Sequence, residues 1–291
     1  MASPARFRMD TESYRDGAAR AARLIVNADD FGYFDGVSRG ILECLQQGVV
    51  TATGVMANGP ALGRWAEPLR ALSGISVGVH LNASLGEPLT AAMQRALGGR
   101  FPSKGAMGLA LLRGKIPRAL LLAEWRAQIE HCRSLGLQLA FLNSHEHLHV
   151  MPGLYPAVRA LAAEFGIRHV RGPSPEWGRN GSAGALARNL VFVAARGWAG
   201  RAPAGEPTLL GVAPSGRLDL GYCRWRFSRL APGRSFELMC HPGHADPAAR
   251  GIPALTEYHD WEAELRTLMS ADFRQLLQQH GIVLTTYSGL Q

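Results

Sequence analysis

The sequence predicts an α/β fold: a single-domain distorted (β/α) barrel with parallel strands and its active site at the strand C-terminal ends. Three observations predict it. Short β-branched runs alternate with amphipathic helical stretches along most of the 291 residues. Acidic and imidazole side chains fall where the apolar runs end. No G-x-G-x-x-G follows the first run, which removes the usual dinucleotide reason for the alternative, an open doubly wound sheet.

RLIVN at 23–27 is a β-branched run followed by a glycine-containing loop, and so reads as the first strand. Val37, Ile41, Leu42 and Leu45 share one face of a helix over 37–47 that Gly48 stops. Further strands are expected at 49–56, 75–80, 140–143, 169–171, 236–240 and 282–286. Helical patterns cover 61–72, 117–135, 155–165 and 258–280, the last interrupted by a cap near Ser270. Two stretches break the alternation, 83–116 and the Arg-, Gly- and Pro-rich 173–233, and both are long enough to be lids or excursions. With no repeat and no clear linker, 23–291 reads as one domain. Residues 1–22 mix charge with small polar residues and read as a flexible N-terminal tail that lacks a signal peptide's apolar core.

Cys44, Cys132, Cys223 and Cys240 form no CxxC pair, which points to a reducing compartment and a cytoplasmic location. No run of 18 apolar residues exists, so a membrane span is not expected. Lys+Arg minus Asp+Glu is 31 − 23 = +8, but Lys104 and Lys115 are the only lysines, and no basic block or Arg–aromatic alternation occurs. Nucleic acid is therefore not an expected partner. The apolar stretch 108–125, carrying Arg113, Lys115 and Arg118, could lie on a membrane surface or fold over the cleft as a lid.

The chemistry sits at the strand ends. Asp29 and Asp30 close the first strand, His80 the third, and His145, His147 and His149 follow the fourth, while His241 follows a late one. In a (β/α) barrel these ends meet on one rim. One carboxylate and two imidazoles, Asp30, His80 and His145, would hold a divalent ion and leave room for water, as hydrolases do. Asp29 could then accept a proton from that water, and alternation along the strand would point it away from Asp30. His241, in CHPGH, suits a proton donor held by the turn at Pro242 and Gly243. SHEHLH is read as three imidazoles on one side of an extended segment. Cys240 reads as a small buried residue, and His131 and His259, on helical patterns, as surface residues.

At these residues the sequence resembles the YdjC-like carbohydrate deacetylase family, which includes chitooligosaccharide deacetylases and a hopanoid-biosynthesis-associated branch. The resemblance rests on LIVNADDFG at 24–32, GVVTATGVMANGPA at 48–61, GVHLNASLGEPL at 78–89, FLNSHEHLH at 141–149 with Pro152, and CHPG at 240–243. It implies a metal-dependent hydrolase that removes acetate from an N-acetylamino sugar, a chitooligosaccharide or a glycolipid-linked N-acetylglucosamine. By position it implies Asp30, His80 and His145 as ligands of one divalent ion, zinc or magnesium, with Asp29 as base and His241 as acid. Asn82, His147, His149 and Arg171 are expected to contact substrate. Ala83 and Ser84 depart from the family's Leu-Thr pair, and 173–233 is hard to align. Peripheral membrane contact through 108–125 and a homodimer are further expectations. Hydrolysis of a phosphoester or cyclic amide, or a non-catalytic sugar-binding barrel, are the alternatives. Against the first, amidohydrolases place HxH after the first strand, whereas here it is mid-chain.

Overall fold

The computed structural model describes residues 21–177, 183–199 and 205–290. Its strands are β1 (Ala22–Phe31), β2 (Ala52–Val55), β3 (Ser76–Leu81), β4 (Leu139–Ser144), β5 (His169–Val170), β6 (Thr208–Leu210), β7 (Ser235–Cys240) and β8 (Ile282–Leu284). They form one sheet in the order β5-β4-β3-β2-β1-β7-β6, and β8 adds to β1. Every pair is parallel. β1 is the axis of this arrangement: its first residues, Ala22–Leu24, pair with β8, its later ones from Asn27 pair with β2, and its other edge pairs with β7.

Among the described residues β5 and β6 do not pair, so the barrel is open along that seam. Side chains tie the interior together instead. Arg171, just beyond β5, reaches Asp29 on β1 and Glu237 on β7.

Period-two alternation explains how the interior is layered. On β1, Leu24, Val26 and Ala28 belong to the large apolar core beneath the helices. Ile25 faces the other way and joins Ala52, Phe141 and Tyr287 in a small separate cluster, with Phe141 and Tyr287 stacked at 4.2 Å. Asn27 and Asp29 follow Ile25 on that inner face, so the barrel interior is apolar below and polar toward the strand C-terminal ends.

The expected helix over 37–47 is Asp35–Gln46 (α1), with Val37, Ile41 and Leu45 buried. The expected break near Ser270 is also present: Ser270 Oγ accepts from Phe273 N at 3.1 Å and separates two helices, Trp261–Met269 and Ala271–Gln279. The stretch 83–116 contains two short helices, Ala91–Leu97 and Lys104–Leu112. The stretch 173–233 contains the helix Ala183–Ala199, β6 and the helix Leu220–Phe227. β6 lies within the Arg-, Gly- and Pro-rich stretch, where no apolar run stands out from its surroundings.

Residues 108–125 are not one surface element. The chain leaves a helix at Arg113, and a new helix starts at Arg118 with Leu121 and Trp125 fully buried, so that of the large apolar side chains only Leu109 and Leu112 are exposed. Nearly all of the expected tail lies outside the described residues. No helix among the described residues is long and apolar enough to cross a membrane.

Candidate metal centre and its cavity

Asp30 departs from regular strand geometry. Its φ is +72°, in the left-handed region that Asp tolerates better than most non-glycine residues. The β1–β2 register slips between Ala28 and Phe31 at the same place. Bulges of this kind re-aim side chains next to active sites. Alternation alone would have sent Asp29 and Asp30 to opposite sides; with the bulge, both carboxylates line one cavity of about 710 Å³.

Donor atoms of Asp30, His80 and His145 lie within 4.8 Å of one another, and all three residues are buried. Asp30 Oδ1 stands 3.3 Å from His80 Nε2 and 3.0 Å from His145 Nδ1. The tautomer of His80 follows from its other nitrogen. Asn143 Nδ2 donates to Asp29 Oδ1 at 2.8 Å, so Asn143 Oδ1 is left to accept from His80 Nδ1, 2.7 Å away. His80 Nε2 is thereby aimed at Asp30 Oδ1, so that imidazole and carboxylate present their donor atoms to one centre. The donor set of two imidazoles and one carboxylate fits a divalent metal ion.

Asp29 has a different environment. Arg171 Nη1 donates to its Oδ2 at 2.6 Å and Nη2 to its Oδ1 at 3.2 Å, while Asn27 Nδ2 donates to Oδ1 at 2.8 Å. Burial alone would raise the carboxyl. The Arg171 guanidinium, with His80 adding, overrides burial and holds it well below the usual carboxylate range. Arg171 is charge-balanced on its far side by Glu237, which accepts from Nε at 2.8 Å and also from Nη2. Gly54 makes room for this cluster: a Cβ there would stand 2.9 Å from Asp29 Oδ1 and 3.2 Å from His80 Cβ.

The segment after β4 is not extended. His145–Val150 is a 3₁₀ turn in which Glu146 and His147 take left-handed φ of 52° and 57°. The three imidazoles therefore diverge rather than sharing a side. His145 joins Asp30. His147 reaches the cavity wall with its ring edge-on to Phe192 at 5.0 Å. His149 turns inward: Ser144 Oγ stands 2.5 Å from its Nδ1, and Arg171 O 2.8 Å from its Nε2. Burial holds His149 down to about 3, so it is a neutral ring with both nitrogens occupied.

Three residues expected at the substrate are thus committed to the protein. His149 and Arg171 are buried with their polar atoms paired. Asn82 organises the loop after β3: its Oδ1 accepts from Ser84 N at 3.0 Å, and its Nδ2 donates to Asn58 Oδ1 at 2.9 Å. None of the three lines the cavity, whereas Asp29, His147 and His241 do.

His241 sits at the C-terminal end of β7. Its backbone N–H donates to Glu264 Oε2 at 2.5 Å, and the same oxygen lies 4.0 Å from its Nδ1. Cys240 is fully buried with its thiol pushed well up, as its apolar reading implied. His259 corrects another expectation: it is a buried part of the cavity wall, 4.6 Å from the His241 ring. Pattern reading missed Asn143, Glu237 and Glu264. Glu237 did leave a signal, a carboxylate in the middle of SFELMC, where a strand of a helix-covered parallel sheet has no solvent side.

The profile of the YdjC-like protein family matches residues 23–279. A carbohydrate deacetylase of Geobacillus stearothermophilus is 32% identical over 271 residues, covering 90% of this chain and 96% of that protein. A chitooligosaccharide deacetylase of Klebsiella pneumoniae is 33% identical over 275 residues, covering 91% and 97%. Among solved structures, an Enterococcus faecalis protein described provisionally as a cellobiose-phosphate cleavage protein superposes with a TM-score of 0.68 at 23% identity, covering 93% of this chain and 99% of its own. That likeness shows a shared fold.

Proposed function

This chain belongs to the YdjC-like protein family, and from that premise we propose that it is a metal-dependent carbohydrate N-deacetylase, a hydrolase that releases acetate from an N-acetylamino sugar. One observation carries the reading: adjacent carboxylates on β1 face one cavity, Asp30 joined to two imidazoles and Asp29 to a guanidinium. That division of labour suits hydrolysis of an amide.

Asp30, His80 and His145 would hold the ion, and their donor set suits zinc or a similar transition ion better than magnesium, which prefers oxygen ligands. When bound, such an ion polarises the acetyl carbonyl and acidifies the attacking water. Asp29 orients that water and takes its proton. Arg171 keeps Asp29 ionised, and Asn27 and Asn143 fix the carboxylate plane. A carboxylate so stabilised is a weak base and serves only a water of lowered pKa. His241, at the cavity wall, protonates the departing amine, and Glu264 anchors its backbone.

Beyond these groups the cavity wall is mostly apolar, with Leu148, Val150, Met151, Phe192 and Leu255 contributing. Such a wall favours an N-acetylglucosamine bearing an apolar aglycone over a long chitooligosaccharide, whose further rings would need matching hydrogen-bond partners. His147, with Nδ1 unpartnered, is the candidate contact for the sugar. Acetate release from N-acetylglucosamine glycosides, assayed beside phosphoester and cyclic-amide substrates, tests the activity. Turnover of either of the latter without acetate release refutes it.

A further inference from the structure

His259 has no place in the account so far, yet it stands beside the proposed acid. Its ring is 9% exposed and lies on the cavity wall, stacked on Trp261 with an interplanar angle of 9° and meeting Tyr258 edge-on at 4.8 Å. It also borders a second cavity of about 650 Å³, so the ring is a partition with space on both sides rather than core filling. Among the described residues its Nδ1 is buried without a hydrogen-bond partner. Buried imidazoles are ordinarily hydrogen-bonded, and one left open on a substrate cavity points to a ligand. Burial, and then the adjacent His241, hold it down to about 3, so the ring is neutral and offers one donor and one acceptor.

Resting on the deacetylase reading, we propose that His259 is a substrate-binding residue: its polar edge hydrogen-bonds the sugar beside the acetamido group and so holds the sugar in the cavity next to His241. Two features separate this role from that of His241. A neutral ring at working pH has no spare proton to deliver to the amine. The stack on Trp261 fixes the ring plane, so the hydrogen bond is directional. His259 thus recognises the sugar, and the proton moves from His241 to the amine.

The test compares His259→Phe, which keeps the stack and removes the polar edge, with His259→Gln, which restores a donor and an acceptor. Both are assayed as purified, metal-loaded protein on an N-acetylglucosamine glycoside, with metal content and melting temperature measured alongside. A lost hydrogen bond to a neutral partner corresponds to about tenfold. His259→Phe is expected to raise KM about tenfold with kcat changed far less, His259→Gln to recover most of that loss, and both to keep wild-type metal content. An unchanged KM in His259→Phe overturns the proposal. So does an equal loss in both variants accompanied by a lower melting temperature or metal content, which marks a structural role. Wild-type protein that binds metal but releases no acetate from any N-acetylated glycoside overturns the deacetylase reading, and this inference with it.

Discussion

Asp29 and Arg171 meet side by side inside the barrel, two guanidinium nitrogens on two carboxylate oxygens, with both side chains 1% exposed. Arg171, just beyond the edge strand β5, crosses the interior to reach Asp29 on the central β1, so the pair both sets the charge of the proposed base and ties the sheet's edge to its middle. Replacing Arg171 with Met leaves Asp29 and Glu237 buried without their counter-charge. Breaking a buried pair costs about 3–5 kcal/mol, measurable by urea denaturation. With Arg171 in place, the stability Asp29 contributes is present above its unfolded value near 3.8 and is lost as pH falls below it. In Arg171→Met the acid limb of activity should move to higher pH. Wild-type stability and an unmoved limb would exclude the positioning role.

Gly54→Ala tests the packing under the site. The added methyl would meet Asp29 Oδ1 and His80 Cβ at 2.9 and 3.2 Å, and the strand backbone on either side cannot yield far. Overpacking of this kind costs about 1–3 kcal/mol. The expected outcome is a folded protein with a lower melting temperature and weakened activity, read by calorimetry and acetate release. Wild-type values for both would show that the cluster is looser than described.

His149 gives the protein a pH dependence of its own. It is neutral in the fold, held down to about 3 against an unfolded value near 6.5. The unfolded chain therefore binds the extra proton between those limits. Stability from this group is fully present above pH 6.5 and falls as pH drops toward 3, by about 1.4 kcal/mol per pH unit. Urea melts of chelator-treated protein at pH 7 and pH 5 should show a steeper loss in wild type than in His149→Gln. Equal slopes would contradict the burial of a neutral ring.

The apolar wall makes a prediction about substrate. An N-acetylglucosaminide with a medium-length alkyl aglycone should have a lower KM than a chitooligosaccharide, and Phe192→Ser should remove the preference. Equal KM values for the two substrates would count against the role assigned to that wall.

The alternation of apolar runs and helices was legible in the sequence because the β-branched runs stand between amphipathic helical stretches of a different period. β6 was not, since it lies in an Arg-, Gly- and Pro-rich stretch that sets off no apolar run. Asp30, His80 and His145 could be picked out because strand ends converge in this fold, so residue type and position sufficed. The backbone dihedrals that finish the site had no such signature. The left-handed Asp30 turns two neighbouring carboxylates into one cavity, and the left-handed Glu146 and His147 scatter the SHEHLH imidazoles among three surroundings. His259 and Arg171 were misread for a related reason: which atoms a buried polar side chain meets depends on contacts distant in sequence.

Asp30, His80 and His145 are proposed to hold a catalytic divalent ion. The direct measurement is acetate release by chelator-stripped protein as zinc or cobalt is added back, run in parallel for wild type and His145→Ala. The stripped protein is expected to have no activity, the wild type to recover fully near one equivalent of ion, and the variant not to recover. Full activity in the stripped protein, or recovery in His145→Ala at the same equivalence, would contradict that role.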